Sequence, residues 1–265
     1  MKKLPCLVLI LLLCQCSASK LSTKDSTDTP MQYKLYVDQL AQLYTVAPNN
    51  TIVKHDESGK VLFEYSDNTL GDISVFDVSN PLQLLVYHKD FQVLKIFDRT
   101  LTLSSSIDMN KLDLIEIRTV ASANDNRIWI FDELNQELLK VDNSGRVQGR
   151  NNDLRLRLNI AATPTRIIEF KNKVYLFDPI HGILIFNAFG EYLSKRKFPY
   201  QGAFTYFQGK LFYPAYTDLV IYDLVEGTQK SSLMPDELFN KPQIYKVGKR
   251  VIYLSDDQIK FTTLK

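Results

Sequence analysis

The sequence predicts an all-β fold, namely a six-bladed β-propeller of four-stranded antiparallel blades. Three observations predict it: two short apolar runs joined by a polar turn recur six times, the copies are evenly spaced, and no window of twelve residues keeps a helical period. The second apolar residue of each copy stands at positions 44, 86, 129, 175, 212 and 252, so the steps are 42, 43, 46, 37 and 40 residues. A four-stranded propeller blade usually takes about 40–50 residues.

Composition narrows the class of protein further. The chain has 265 residues, of which 45% are hydrophobic and 11% aromatic, enough for a sizeable core. Its 32 Lys and Arg side chains nearly balance 30 Asp and Glu, so no long-range field attracts nucleic acid. The three cysteines, Cys6, Cys14 and Cys16, all precede the repeats. The repeats therefore hold no disulfide, cysteine nucleophile or zinc-thiolate site.

The first element along the chain is a signal peptide over residues 1–15. Lys2 and Lys3 precede an apolar run from Leu4 to Leu13. That run is about half of the ~20 residues that a membrane-spanning helix needs, and it fits the hydrophobic region of a secretory signal.

The second element is a lipidation site at Cys16, which stands where cleavage of the signal peptide is expected. Leu13, Cys14, Gln15 and Cys16 resemble a loose bacterial lipobox, with Leu13 three residues before Cys16. There are two alternatives: the lipidated residue is Cys14, or the protein is secreted with a free cysteine and no lipid. Acyl chains such as palmitate on Cys16 would anchor the protein, because two or more chains suffice for stable attachment.

The third element is a flexible tether over residues 16–30. Seven of the fourteen residues from Ser17 to Pro30 are Ser or Thr, a composition that cannot bury enough surface to order itself. In some lipoprotein families an acidic cluster just after the lipidated cysteine marks export to the cell surface, whereas here no acidic residue follows Cys16 before Asp25. By that resemblance, the periplasmic side of the outer membrane is expected rather than the cell surface. We expect an outer-membrane, lipid-anchored protein on these grounds.

Residues 31–265 form the predicted propeller. Its clearest repeat joins Arg127–Asp132 to Leu138–Asp142, and both runs are short, β-branched or aromatic, and bounded by turn residues. Each second run ends at Asp or Asn, at positions 56, 98, 142, 187 and 223. Their place at the start of hairpin turns predicts side-chain bonds to the turn backbone rather than a ring of metal ligands.

The sequence does not determine how the ring of blades closes. The last repeat holds three strands, near residues 243–247, 250–254 and 258–263. The segment Met31–Val37 could supply its outer strand and lock the ring. Alternatively, that segment is the inner strand of the first blade, which leaves the last blade short.

The sequence predicts no catalytic, cofactor-binding or metal-binding residue. His55, His88 and His181 lie in different repeats without metal-ligand spacing, and each is expected at the surface or in a turn. No nucleophile elbow or glycine-rich phosphate loop occurs.

A surface for a protein partner is the remaining candidate site. Tyr200, Phe204 and Tyr206 lie in an aromatic-rich stretch, and aromatic residues are enriched at contact surfaces, although packing between blades explains them equally well. Arg155 and Arg157 belong to a nearby cluster of basic residues, which could form a positive patch or be solvated charges beside Asp and Glu.

The leader with Cys16, the Ser/Thr-rich tether and the six blades together resemble the six-bladed propeller lipoproteins of Gram-negative envelopes, related to NHL-type repeats. The architecture is also similar to that of the eight-bladed lipoprotein of the outer-membrane barrel-assembly machine. This resemblance implies a non-enzymatic scaffold that binds another envelope protein, in outer-membrane protein assembly or secretion.

The alternative function is a calcium-dependent lactonase, a sugar-acting propeller or a ligand binder that uses the central channel. It requires Asp, Glu and Asn side chains to converge at the inner ends of strands. Asp72, Asn124 and Glu169 lie near such ends.

Overall fold

The computed structural model describes residues 33–264 except 113, 115, 151 and 152. The chain divides into two compact units, residues 1–31 and residues 32–265, and the described residues all belong to the second. The predicted signal peptide (1–15), the lipidation site Cys16 and the tether (16–30) lie outside the described residues. None of the helices in the described part is long and apolar enough to cross a membrane.

The described residues form six antiparallel sheets, one for each repeat, which confirms the predicted six-bladed propeller. Five sheets have four strands and the sixth has three. The first three blades comprise β1 (Lys34–Val37), β2 (Leu43–Val46), β3 (Ile52–His55) and β4 (Val61–Tyr65); β5 (Val75–Asp77), β6 (Leu84–His88), β7 (Val93–Phe97) and β8 (Leu103–Asp108); and β9 (Ile117–Ser122), β10 (Ile128–Asp132), β11 (Glu137–Val141) and β12 (Val147–Arg150). The last three comprise β13 (Arg166–Phe170), β14 (Lys173–Asp178), β15 (Gly182–Asn187) and β16 (Tyr192–Arg196); β17 (Thr205–Phe207), β18 (Lys210–Ala215), β19 (Asp218–Asp223) and β20 (Gln229–Leu233); and β21 (Ile244–Val247), β22 (Arg250–Ser255) and β23 (Gln258–Thr263).

The burial of the strands decreases from the centre of a blade to its outer edge. All five residues of β10 are buried, because this second strand is covered by the neighbouring blades on both faces. The outer strand β12 of the same blade is largely exposed. Among the described residues there is one α-helix, α1 (Leu154–Leu158), which lies in the connection between the third and fourth blades.

The turns that join the third and fourth strands use the predicted Asp and Asn residues. The Oδ1 atom of Asp142 accepts hydrogen bonds from the backbone N–H groups of Ser144 (2.9 Å) and Arg146 (3.1 Å). Gly145 has a φ of 85°, which a residue with a side chain rarely adopts. The register of β11 and β12 shifts by a β-bulge just beyond this turn. The same side-chain bonds occur at Asp56, Asp98 and Asn187, and Asp223 accepts from the N–H groups of Val225 and Glu226. These bonds confirm the predicted structural role of all five residues.

The hydrophobic core is divided into five clusters that lie between blades. Between the third and fourth blades, Trp129 and Phe131 pack against Leu176 and Phe186. The largest cluster lies where the two ends of the ring meet. In it, Leu35 of the first blade packs with residues of the fifth and sixth blades. Because each apolar face is buried against the next blade, the blades stabilise one another around the ring.

The ring closes without a shared strand in the described residues. β1 pairs with β2 in the first blade, so Lys34–Val37 is the inner strand of that blade and the last blade is the short one. The second of the two alternatives for closure is therefore correct. The Leu35 backbone N–H donates to the Gln243 Oε1 atom at 2.6 Å, and the Tyr245 hydroxyl donates to the Leu35 carbonyl at 3.3 Å.

The propeller has two distinct faces. We call one the cavity face; it carries the turns between first and second strands (residues 38–42, 78–83, 123–127, 171–172, 208–209 and 248–249) and those between third and fourth strands. We call the other the connector face; it carries the turns between second and third strands and the segments that join blades (residues 66–74, 109–116, 151–165, 197–204 and 234–243).

Candidate functional site

The connector face carries an arc of exposed apolar side chains on four consecutive blades. A turn tip supplies one residue in each of the second to fifth blades, and α1 adds one between the third and fourth. We call this set the apolar arc; its members are Phe91, Leu134, Leu156, Ile180 and Tyr216. Leu156 is 88% exposed and Tyr216 is fully exposed, whereas most large apolar side chains of a blade are buried.

Local sequence explains why these side chains point outward. The Asp178 Oδ1 atom accepts hydrogen bonds from the backbone N–H groups of Ile180 and His181, so the turn is fixed by Asp178 and the Ile180 side chain is left at its tip. Asp132 holds the turn at Leu134 in the same way, with a bond of 3.1 Å from the Leu134 N–H. The turn is therefore stable without burial of its apolar residue.

Four of the five predicted partner-surface residues lie on the connector face, next to the apolar arc. Arg155 and Arg157 lie on α1 at either side of Leu156, and Arg155 forms an ion pair with Asp153 at 3.1 Å. Tyr200 and Phe204 lie in the connection between the fourth and fifth blades, where Tyr200 stacks on the Tyr213 ring. The Tyr200 and Phe204 side chains are half-buried.

Tyr206 does not belong to that surface. It is 4% exposed on the inner strand β17, where its ring packs edge-on against Phe170. Burial raises the pKa of the Tyr206 hydroxyl to about 12. The prediction of Tyr206 as a contact residue is corrected for a physical reason: all three residues of β17 are buried, and Tyr206 packs in the core cluster between the fourth and fifth blades.

The cavity face contains two adjoining cavities that share Asn124 and Glu169 in their walls. The larger, of about 380 Å³, lies at the centre of the ring and is lined by residues of five blades; we call it the axial cavity. The smaller, of about 300 Å³, lies between the third and fourth blades. Ring-centre cavities are a common position for ligand sites because the inner strands converge there.

Glu169 is the buried carboxylate between the two cavities. It lies on β13 and is 9% exposed. The Trp129 Nε1–H group donates to its Oε2 atom at 2.6 Å, and the Asn124 backbone N–H donates to the same atom at 3.2 Å. Glu169 and Asn124 thus lie together, as the channel alternative requires, but Asp72 lies on the connector face and does not join them.

The three histidines occupy structural positions. His181 lies in a turn and bonds Asp178 through Nδ1 at 3.0 Å, as predicted for a turn residue. His55 is half-buried, with a ring bond to Thr45. His88 is 1% exposed, so its predicted place at the surface is wrong; its Nδ1 atom bonds the Gly71 carbonyl, and burial lowers the pKa of its imidazole. In the described part of the chain, no group of three or more His, Cys, Asp or Glu residues is arranged to hold a metal.

Sequence reasoning missed all five members of the apolar arc. Its signal was present, because each of Phe91, Leu134 and Ile180 is a single large apolar residue inside an otherwise polar turn. Such a residue has no partner in its own hairpin, so it marks either a packed turn or an exposed contact. Only the three-dimensional arrangement shows that they lie on one face.

Six sheets stacked in a ring define the chain as a six-bladed β-propeller, and the comparisons agree. No protein-family model and no curated protein matches the sequence. Virginiamycin B lyase from Staphylococcus aureus, solved with quinupristin, matches with a TM-score of 0.55 and 11% identity over 89% of this chain and 86% of that chain. At such identity the likeness shows the fold alone.

Two further solved structures are also similar to this chain. PorZ, a surface component of the type-IX secretion system of Porphyromonas gingivalis, matches with a TM-score of 0.55 and 14% identity over 87% of this chain and 30% of PorZ. This chain therefore spans less than a third of PorZ. BamB from Moraxella catarrhalis matches with a TM-score of 0.45 and 11% identity over 87% of this chain and 72% of that chain, too weak a likeness for an argument.

Proposed function

We propose that the protein is a non-enzymatic outer-membrane lipoprotein, anchored through Cys16, whose propeller binds another protein of the cell envelope during outer-membrane protein assembly or secretion. The observation that carries the proposal is the apolar arc on the connector face. Its five exposed large apolar side chains lie on one face of the ring, four of them at turn tips of consecutive blades, and an exposed apolar set of this kind suits a contact with another protein.

A protein fits the apolar arc better than a lipid bilayer does. Charged side chains alternate with its members: Asp90 precedes Phe91, Glu133 precedes Leu134, and Arg155 precedes Leu156. Placing carboxylates of this kind in a hydrocarbon layer is costly. A protein interface accommodates them, because apolar contacts at its centre are surrounded by a polar rim.

The basic side chains of α1 suit the rim of such an interface. Arg155 is already paired with Asp153, while the Arg157 guanidinium lies 6.0 Å from the centre of the Tyr192 ring. Arg157 has no ion pair with another described residue, so it remains able to pair with a carboxylate of the partner. We therefore expect a partner surface with apolar pockets and at least one acidic group.

The envelope location rests on the sequence and on analogy. The apolar run, Leu13 and Cys16 support export and lipidation, and the Ser/Thr-rich segment that follows supports a tethered domain near the membrane. The shared propeller fold of PorZ supports only the suitability of such a ring for a role at the bacterial surface. The lyase shows that the same fold also hosts an enzyme.

The test begins with capture of the tagged, full-length protein from detergent-solubilised membranes and identification of any stoichiometric partner. The partner is then purified and its affinity is measured for the wild type and for a variant with Leu156→Asp and Ile180→Asp. We expect binding to the variant to be at least about tenfold weaker, because buried apolar anchors contribute most of the energy of an interface. The control is a variant with Leu40→Asp and Phe189→Asp, two exposed apolar positions on the cavity face.

Anchoring is tested in the same cells. We expect Cys16→Ser to move the protein to the soluble fraction and Cys14→Ser to leave it in the membrane, with palmitate labelling lost only in the former. The proposal fails if no stoichiometric partner is recovered, if the two paired variants bind alike, or if the mature protein carries no acyl group.

A further inference from the structure

The axial cavity has an unusual distribution of charge. It is lined by amide and hydroxyl side chains and by a few apolar ones, and Glu169 is the single charged residue in its wall. The polar residues with side chains in this wall are Gln39, Ser79, Asn80, Ser122, Asn124 and Asn126. The cavity wall is therefore uncharged and able to form hydrogen bonds, except for the one negative charge of Glu169.

Only half of the Glu169 carboxylate is satisfied by the protein. Both of its hydrogen bonds, from Trp129 and from the Asn124 backbone, are accepted by Oε2. Among the described residues no donor reaches Oε1, although the side chain is 9% exposed. The Oε1 atom is therefore open to the cavity without a protein donor, and a ligand that supplies a charged donor there gains a charge-assisted hydrogen bond.

The cations near Glu169 are bound to other groups. Lys140 pairs with Asp125 at 2.9 Å and also donates to the Ala188 carbonyl. Arg127 pairs with the same Asp125 carboxylate. Arg166, at the other end of β13, donates to the Phe204 carbonyl on the connector face. None of these cations forms an ion pair with Glu169 among the described residues, so its carboxylate remains available to a cationic ligand group.

A second carboxylate lies near the cavity but is already bonded. The Asp77 oxygens accept hydrogen bonds from Ser79 and from the Ser122 backbone N–H, and both of these residues line the axial cavity. Asp77 is therefore saturated, which leaves Glu169 Oε1 as the carboxylate oxygen that a ligand can bind.

We propose that the axial cavity binds a small organic ligand through a primary ammonium group, which pairs with Glu169 Oε1. An ammonium group carries three donors, which suit one carboxylate oxygen and the amide oxygens around it. The apolar portion of the ligand lies against Leu82, Phe170 and Tyr206, which line the same cavity. This site is on the opposite face from the apolar arc and is independent of the proposed scaffold role.

The chain contains its own reporter for this site. Trp129 is its only tryptophan and donates directly to Glu169. A charge placed beside Glu169 changes the environment of the indole, so tryptophan fluorescence follows occupancy. The probes are cyclohexylmethylamine, protonated at pH 7, and cyclohexylmethanol, which has nearly the same shape without the charge.

We expect saturable binding of the amine and at least about tenfold weaker binding of the alcohol, because a hydrogen bond between two charged groups is worth substantially more than a neutral one. Glu169→Gln should weaken amine binding by a similar factor. Glu64→Gln, at an exposed glutamate on the outer strand β4, is the matched control and should bind the amine as the wild type does.

The inference is overturned if the wild-type protein shows no saturable fluorescence change with the amine up to its solubility, or if amine and alcohol bind alike. It is also overturned if a folded Glu169→Gln variant binds the amine as the wild type does. The comparison of the two probes uses the wild-type protein alone, so it decides the matter even if that variant fails to fold. Neither result affects the capture experiment on the apolar arc.

Discussion

At the scale of single residues, the Trp129–Glu169 hydrogen bond connects stability to the candidate ligand site. Both side chains are buried, at 1% and 9% exposure, and they belong to adjacent blades. A buried indole N–H needs an acceptor, because leaving it unpaired costs about 1–3 kcal/mol. Glu169 therefore stabilises the interface between the third and fourth blades while presenting one oxygen to the axial cavity.

We predict that Glu169→Ala lowers the free energy of unfolding by about 1–3 kcal/mol, because Trp129 Nε1–H then loses its acceptor. Glu169→Gln should retain most of the stability, since its side-chain carbonyl still accepts the same bond. Urea unfolding followed by circular dichroism measures both variants. Equal stability of the alanine and glutamine variants would show that the hydrogen bond does not hold the blades together.

The candidate sites show how far sequence predicts function at this scale. Glu169 was recognisable as a carboxylate at the inner end of an apolar strand, and Asn124 as a polar residue near another. The hydrogen bond from Trp129 to Glu169 was not recognisable from the sequence, because it joins residues 40 positions apart in different repeats. Likewise, the separation of Asp72 from these residues depends on strand direction, which places its connection on the opposite face.

At the scale of elements, the turns between third and fourth strands depend on a carboxylate or amide at one position. Asp56, Asp98 and Asp142 each accept two backbone bonds and one hydroxyl bond. These bonds, of which the hydroxyl bond is the largest cause, lower the pKa of each carboxyl below its ordinary value. Asn187 makes the equivalent backbone bonds without a titrating group.

We predict that these three carboxylates make the propeller sensitive to acid. Their folded pKa values lie below the unfolded value of about 3.9, so their stabilising effect is complete above that pH and is lost as the pH falls through the folded values. A variant with Asp56, Asp98 and Asp142 all changed to Asn should lose less stability between pH 6 and pH 3 than the wild type. Urea unfolding at the two pH values measures the difference.

The matched control for this prediction changes three other exposed aspartates to Asn, namely Asp72, Asp90 and Asp257, whose side chains accept no hydrogen bond from described residues. The control variant should follow the wild-type dependence on pH. If it flattens that dependence as much as the turn variant does, general charge repulsion and not the turn bonds causes the sensitivity to acid.

At the scale of the whole molecule, cationic side chains bind one blade to the next at four of the six junctions. In four junctions a Lys or Arg donates to a backbone carbonyl in a turn of the following blade: Lys54 to Arg99 (2.8 Å), Lys140 to Ala188 (3.1 Å), Arg196 to Leu224 (2.9 Å) and Arg250 to Glu57 (2.6 Å). The last of these crosses from the sixth blade to the first. Polar bonds at the rim thus supplement the apolar wedges between blades.

The ring itself was largely predictable, because blades are local units with readable turns and apolar runs. The number of blades, the turn residues and the burial of second strands all follow from residues close in sequence, such as Ile128–Asp132 and Asp142. Closure was not predictable, because it depends on contacts such as that between Leu35 and Gln243, which are 208 residues apart. Sequence left two positions for Met31–Val37, and only pairing of β1 with β2 distinguishes them.

The junction of the first and sixth blades is where we expect the ring to open first. It has no strand shared between the two blades in the described residues, and the sixth blade has only three strands to cover its neighbours. Local opening follows the least stable contacts of a structure. Gln243 is the residue to test, because it supplies the acceptor for the buried Leu35 N–H across this junction.

We predict that Gln243→Ala lowers the free energy of unfolding by about 1–3 kcal/mol, since it leaves the Leu35 N–H unpaired. Hydrogen exchange should accelerate in β1 and in β21–β23 and remain unchanged in β9–β12, on the far side of the ring. Gln201→Ala removes an exposed glutamine with a long 3.4 Å bond to Pro179 and should alter neither quantity. Exchange that accelerates equally in all six blades would mean that the ring unfolds as one cooperative unit and that its junction is no weaker than the others.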